Sequence, residues 1–280
     1  MLRSGSLVLL VCLLPVAASA QEPPPAPPAA QTTPERSDPD VLIDALQPDF
    51  TLGALPTTLR MPAGKWAFRV THRFTRNLGR GDFGDLASDL FGLDGGSQVG
   101  LELRYGLRSG TQVGVHRTSD RAIQLFGQHN FMNERDGGPF GLDAMVTLEG
   151  DDNLSEHHQS AVGVVLSKNL GRRAALYAEP LVVFNANPFP AGDEHTAMLG
   201  LGGRIRVRPS TYLLAEYTPR VAGYDPRVDQ ITFAVEMRAG GHLFQINVSN
   251  GFGTTLGQVA RGGVEYDQWF LGFNLSRKFF

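Results

Sequence analysis

The sequence predicts an all-β fold: a transmembrane, antiparallel up-and-down β-barrel of about twelve strands. Three observations carry that reading. Long segments alternate strictly between apolar and polar residues, long and short connections alternate along the chain, and the N-terminus carries an export signal. A period of two marks a strand, because successive side chains point to opposite faces.

Residues 1–20 set the compartment. Arg3 supplies a positive charge, Leu7 to Leu14 an apolar stretch, and Ala18-Ser19-Ala20 a small-residue cleavage site before Gln21. Such a segment is a secretory signal peptide, too short and wrongly flanked for a spanning helix. The one cysteine of the chain, Cys12, lies inside it. The exported protein therefore carries no thiol, which excludes disulfides, cysteine zinc sites and thiolate catalysis.

Residues 21–39 are dense in proline and alanine. They cannot bury a core and are expected to form an extended, polyproline-like periplasmic tether. Residues 40–64 regain apolar side chains (Val41, Leu42, Ile43, Leu46, Phe50, Leu52, Leu55), but Pro48, Pro56 and Pro62 break the run. Two readings stand for this segment: a short periplasmic helix and turn, or a piece tucked into the barrel mouth.

Residues 65–280 read as the barrel. In the first strand Trp66, Phe68, Val70, His72 and Phe74 share one face, and Ala67, Arg69, Thr71, Arg73 and Thr75 the other. In the second, Val99, Leu101, Leu103, Tyr105 and Leu107 oppose Gln98, Gly100, Glu102, Arg104 and Gly106. Each runs about ten residues, the length that crosses a bilayer core when tilted, whereas soluble strands are more often about five or six. Further along, tight connections at 108–110, 171–173, 208–210 and 239–241 alternate with long ones at 76–96, 185–194, 219–228 and 250–263, the short upper turn at 117–120 being an exception. That is the pattern of short periplasmic turns and long outer loops. Pro180 interrupts one strand, where proline removes a ladder donor and a bulge is the expected repair.

Composition agrees and excludes some functions. Alternation hides the hydrophobicity, so a mean hydropathy near zero does not argue against membrane residence. No run of apolar residues is long enough for a spanning helix. A formal net charge of -3 argues against nucleic acid as a partner, which would call for a basic stripe.

The stretch His72-Arg73-Phe74, then Leu90-Phe91-Gly92-Leu93-Asp94, then Gly100 to Leu107, then Val113-Gly114-Val115, resembles domain-of-unknown-function family 5777, bacterial β-barrel proteins without an assigned activity. The match is strong from Phe68 to Phe131 and architectural elsewhere. It implies an outer-membrane barrel and brings no catalytic residues. Arg117 to Asp120 departs from the small residues and serine expected there. The last strand also resembles the signal read by the outer-membrane assembly machinery: Trp269, Leu271, Phe273, Leu275 and Phe279 alternate toward the C-terminal Phe280, with Arg277 interrupting. Expected partners are thus outer-membrane lipid, that machinery and small solutes.

The inward polar face is the candidate functional surface. The pore-lining candidates are Arg69, Arg73, Glu102, Arg104, His116, Glu179, Arg204, Arg206, Glu216 and Glu236, with Asp143, Glu149, Lys168, Arg208 and Arg238 on the same face or near its ends. Opposed charges around a lumen can set ion preference; equally, they can pair and fill a narrow interior. Arg204 and Arg206 are expected to find partners in Glu179 and Glu216.

No cofactor or metal is expected. The groups Asp151, Asp152, Glu156, His157, His158 and Asp193, Glu194, His195 read as solvated loop tips. Ser119 with His116, or Ser155 with His157 and Asp152, can be written as a nucleophile and base but sit in no hydrolase signature, so an enzyme is not expected. Phe83, Leu86, Leu90 and Phe91 have helical spacing and predict a short amphipathic helix, folded inward as a constriction or packed on the rim. The leading function is a porin-like passive channel in the bacterial outer membrane. The alternative is a non-conducting structural or adhesion barrel acting through its outer loops or its tether.

Overall fold

The alternating segments become the walls of a closed barrel. The computed structural model describes residues 44–189 and 191–280. The signal peptide, the tether and the start of the 40–64 segment lie outside the described residues. Thirteen strands form one antiparallel sheet: β1 (Trp66–Asn77), β2 (Ser97–Arg108), β3 (Thr111–Thr118), β4 (Ile123–Met132), β5 (Gly141–Gly150), β6 (Glu156–Leu170), β7 (Ala174–Phe184), β8 (Thr196–Arg208), β9 (Thr211–Thr218), β10 (Arg220–Gly223), β11 (Gln230–Ala239), β12 (His242–Ser249) and β13 (Phe270–Phe279). β10 is a four-residue strip that pairs with the loop end of β8. The other strands close as twelve staves, because β1 pairs with β13 and β8 with β9.

The hairpin register matches the alternation. Arg69 stands opposite Glu102 and Val70 opposite Leu101, so like faces meet across β1 and β2. One of the two-residue connections is Gly240-Gly241, both at positive φ (51° and 76°). A two-residue hairpin turn with that geometry fits the twist of its strands, and glycine adopts it without a Cβ penalty. Pro180 is accommodated without a bulge. Register on β6 runs unbroken from Gly163↔Leu181 to Leu166↔Ala178, and only the two pairs between them are skipped.

Outward residues form the apolar belt: Leu101, Leu103, Leu125, Val146, Leu148, Val162, Phe233 and Ile246 are all exposed. The expected amphipathic helix forms at Phe83–Ser88, with an Asp82–Asp85 capping box. It does not fold inward. The turn that follows packs on the outer face of the wall, where Gly92 sits against Phe74 and Arg76, and Arg76 pairs with Asp89 at 2.5 Å. That burial explains why Phe74, on the outward side of β1, is only 5% exposed.

The interior is not uniformly polar. On β1, β2, β3, β12 and β13 the buried inward side chains are mostly Arg, Glu, Gln, Asn, Thr, Ser, His and Lys, with Ala67, Leu243 and Phe270 the apolar exceptions. From β5 to β8 they include Met145, Ala161, Tyr177, Leu181, Val183 and Met198, which gather with Leu46, Leu52 and Leu55 of the N-terminal segment into the main apolar cluster. A barrel with one apolar inner wall requires something apolar inside it.

Candidate functional site

The lumen is filled by two segments of the chain. The first comprises residues 44–64, which enter past the short-turn rim, turn at mid-height and return to β1. It is a small hairpin: the Leu52 N–H donates to the Leu55 carbonyl (2.7 Å), the Thr57 N–H to the Phe50 carbonyl (2.9 Å), and Thr51 bridges Pro56. Of the two sequence readings, the segment tucked into the barrel is the one observed, and it goes well beyond the mouth.

Isolated in a lumen, a hairpin of this size would leave backbone groups unpaired, each costing about 1–3 kcal/mol. The wall supplies the partners. At the tip, the Glu216 carboxylate accepts the N–H groups of Gly53 (2.9 Å), Ala54 (3.0 Å) and Leu55 (3.0 Å). The Gly53 carbonyl accepts from Arg69 (2.5 Å), Arg73 (3.5 Å) and Asn274 (3.2 Å). Arg204 donates to the Thr51 carbonyl (3.0 Å), Gln245 to that of Leu52 (3.1 Å) and Gln128 to that of Thr57 (2.7 Å). Lower down, Asp49 pairs with Lys278 at 3.1 Å and accepts the Ser276 hydroxyl at 2.5 Å. Burial alone would raise the Asp49 carboxyl, but the Lys278 ammonium, the Ser276 hydroxyl and the Arg69 and Arg204 charges hold it below its ordinary value.

The second segment comes from the opposite rim. Residues 250–263, between β12 and β13, fold inward and carry the helix Leu256–Ala260, every residue of which is buried. A second wall carboxylate grips it: Glu149 accepts the Thr255 hydroxyl (2.7 Å) and the Gly257 N–H (3.0 Å), while the Leu256 N–H donates to Gln124 (2.8 Å). Arg220 donates to the Val259 carbonyl (2.6 Å), and Arg261 pairs with Asp151 (2.7 Å). Leu256, Val259 and Ala260 join the cluster that holds Leu52 and Leu55. Between the two segments, the space bordered by Thr51, Arg69, His116, Gln124 and Leu256 is about 10 Å³, the room of about one water.

Nine of the ten pore-lining candidates are buried inside: Arg69, Arg73, Glu102, Arg104, His116, Glu179, Arg204, Glu216 and Glu236. Arg206 is not; it stands at the short-turn rim and donates to the Pro209 carbonyl (2.7 Å). Lys168 points outward and pairs with Glu134 at 2.8 Å. Its neighbours Val165 and Ser167 are buried instead, so the inward parity of β6 is odd. The expected pairing of the β8 arginines also differs. Arg204 meets Glu236 at 2.6 and 3.0 Å, because β11 lies one stave beyond β9 and its side chain reaches across. Glu216 is committed to the hairpin, and neither oxygen of fully buried Glu179 has a hydrogen-bond partner among the described residues.

A second network joins Glu102 to Arg104 (2.8 Å), Arg69 (3.5 Å) and His116 (3.9 Å). The Arg104 guanidinium lies over the rings of Phe126 (4.4 Å) and Phe50 (5.1 Å), one from the wall and one from the hairpin. Such contacts are favourable when desolvated. Sequence reasoning missed Lys278, Gln124, Gln128, Gln245 and Asn274 as lumen residues. All sit at inward positions of their strands; attention to formal charge passed over four of them, and the terminal-signal reading hid Lys278.

The loop candidates have other partners. Asp152 pairs with Arg121 (2.5 Å) and Asp151 with Arg261, and His195 Nδ1 accepts the Asn185 N–H (3.0 Å). Among the described residues no group of three or more His, Cys, Asp or Glu is placed to hold a metal. Ser119 accepts the Val99 N–H (3.0 Å), while His116 turns to Glu102 in the lumen. Ser155 and Asp152 do come together at 3.2 Å, but His157 Nε2 has no hydrogen-bond partner among the described residues.

Comparison with known proteins was informative at the level of family. A family model described as a membrane-bound β-barrel domain, domain-of-unknown-function family 5777, matches residues 49–279. No curated protein matches the sequence. Among solved structures, the NanC porin aligns at 8% identity with a TM-score of 0.49, covering 76% of this chain and 100% of that one. The outer membrane protein Omp33 of Acinetobacter baumannii aligns at 8% identity with a TM-score of 0.46, covering 77% of this chain and 98% of that one.

Proposed function

The chain belongs to the membrane-bound β-barrel family 5777, and from that premise we propose that it is a porin-like outer-membrane channel for small solutes, closed in the conformation described by its own N-terminal hairpin. One observation carries the reading. The wall addresses its polar groups to the backbone of an insert joined to the barrel at only one end, residues 44–64, which continue into β1. A barrel of about eight strands can fill its interior with side chains of its own, and twelve strands enclose a wider space. Here the filling is a separable segment, and its withdrawal leaves a lumen lined by Arg69, Arg73, Arg204, Glu216 and Glu179. The Pro- and Ala-rich stretch preceding it is the natural handle for that withdrawal.

Planar-bilayer recording on refolded full-length protein tests this. Wild type is expected to be silent or to open only briefly. Gly53→Glu leaves the wall intact but places a side chain against Thr232, 2.9 Å from the new Cβ, and a carboxylate against that of Glu216; it is expected to conduct steadily. Silence from both proteins, with the folded barrel verified by heat-shifted gel mobility, rejects the channel and leaves a structural barrel. A wild type as conductive as the variant removes the hairpin from gating.

A further inference from the structure

The hairpin tip is held in a manner that describes a ligand. Gly53 spans the lumen with a single residue: its N–H points to the Glu216 carboxylate on β9 (2.9 Å), and its carbonyl to the guanidinium groups of Arg69 (2.5 Å) and Arg73 (3.5 Å) on β1 and the amide of Asn274 on β13 (3.2 Å). Donor and acceptor are separated as the two ends of an amino acid are. The wall charges are segregated to match. Glu102 is neutralised by Arg104 and Arg69, and Glu236 by Arg204. At the height of the hairpin tip the remainder is acidic on one side, where Glu216 is joined by Glu179, fully buried with neither oxygen partnered among the described residues. It is basic on the other, where Arg73 has hydrogen bonds to carbonyl oxygens but no carboxylate partner among the described residues. β7, which carries Glu179, stands half-way round the barrel from β1.

We infer that the mid-lumen position filled by Gly53 is a recognition site for α-amino-acid-type zwitterions, with the ammonium taken by Glu216 and Glu179 and the carboxylate by Arg69, Arg73 and Asn274. The inference rests on the channel reading above and names the solute class that the channel passes. A free ammonium improves on the Gly53 N–H as a donor to a carboxylate, and a free carboxylate improves on its carbonyl as an acceptor for guanidinium, since charge-assisted hydrogen bonds are the stronger ones. A solute carrying one charge meets a like charge on the facing wall, which is how a site discriminates against the wrong partner. A neutral solute leaves both walls unpaired.

Efflux from vesicles containing the full-length Gly53→Glu protein tests it, using labelled alanine, lactate, alaninamide and lactamide. These are four solutes of nearly one size that carry both charges, a negative one, a positive one and none. After subtraction of protein-free vesicles, alanine is expected to leave about tenfold faster than each of the others, the factor that about 1.4 kcal/mol of discrimination gives. In the same background, Glu216→Gln should abolish the discrimination against lactate and Arg73→Gln that against alaninamide. Equal efflux of all four, or a preference for a singly charged solute, overturns the inference and leaves the channel standing. No efflux of any solute from a folded, inserted barrel overturns the channel reading, and this inference with it.

Discussion

Two segments occupy the same lumen, and they are held there on different terms. The N-terminal hairpin, residues 44–64, meets the wall through its backbone, with three N–H groups on Glu216 and carbonyls on Arg69, Arg204, Gln128, Gln245 and Asn274, as well as through Leu52, Leu55 and the Asp49–Lys278 pair. The loop 250–263 is held by Glu149, Gln124, Arg220 and Asp151 and buries a short helix against the apolar cluster. The loop is also tied at both ends, to β12 and β13. Withdrawing the loop would have to drag two strands or expose its helix. Withdrawing the hairpin exchanges backbone hydrogen bonds for water, about 0.5–1.5 kcal/mol net each and about 1.5–3 kcal/mol for those to charged groups, exposes Leu52 and Leu55 and parts Asp49 from Lys278, but strains nothing covalent. The segment continuous with a single strand is the releasable one and the segment held between two strands the fixed one.

That contrast is open to attack from several directions. The largest effect should come from the hairpin itself: replacing both Leu52 and Gly53 by aspartate is expected to turn a silent barrel into a steadily conducting one. Replacing residues 254–261 by a glycine-serine linker should leave it silent in the same recording. If the loop replacement opens the pore and the hairpin substitution does not, the roles are reversed.

Next in size is the buried pair beneath the hairpin. Arg204→Met strands Glu236 without its cation and is expected to cost about 3–5 kcal/mol, the usual penalty for breaking a buried ion pair. Arg206→Met, at the rim, should change stability by no more than about 0.5 kcal/mol. Urea unfolding in lipid vesicles measures both, and similar losses for the two would mean that Arg206 is buried after all.

The lipid face comes third. Leu101→Arg lies in the exposed belt and is expected to cost about 2–4 kcal/mol if it sits near the bilayer midplane. Gln98→Ala, near the loop rim, should stay within about 0.5 kcal/mol. A Leu101→Arg protein as stable as wild type in the same titration would place that face away from lipid.

The smallest effect concerns the loop clamp. Glu149→Ala frees the Thr255 hydroxyl and the Gly257 N–H, a loss of about 1–3 kcal/mol if they stay buried and unpaired. It should lower the midpoint of unfolding while leaving the bilayer recording silent. Steady current from this variant would show that the loop seal depends on its hydrogen bonds and not on its apolar helix.

The barrel was legible in the sequence because alternation is a local code. Trp66, Phe68 and Val70 against Ala67, Arg69 and Thr71 declare two faces whatever the rest of the chain does, and the tight Gly240-Gly241 turn fixes a neighbour. The same code found nine of the ten lumen candidates, and it failed where strand ends or parity intervened, at Arg206 and Lys168. The expected salt-bridge partners of Arg204 were wrong for a different reason. Alternation states which way a side chain points but not how far it reaches, and Glu236 stands one stave beyond the strand that was considered.

By itself, then, the sequence determined the strands, their faces and the membrane they imply, since each follows from residues adjacent in the chain. Only the tertiary structure decided that the lumen is filled and by what. Leu46, Leu52 and Leu55 between prolines carry no period, and the apolar inner wall of β5 to β8 blurs the alternation that would have announced it. Their complementarity exists only across the lumen. Glu216 and the Gly53 N–H lie 163 residues apart in sequence, and Asn274 and the Gly53 carbonyl 221 apart. No local pattern encodes a hydrogen bond between a backbone group and a side chain that distant, so the closing of the barrel had to be seen in three dimensions.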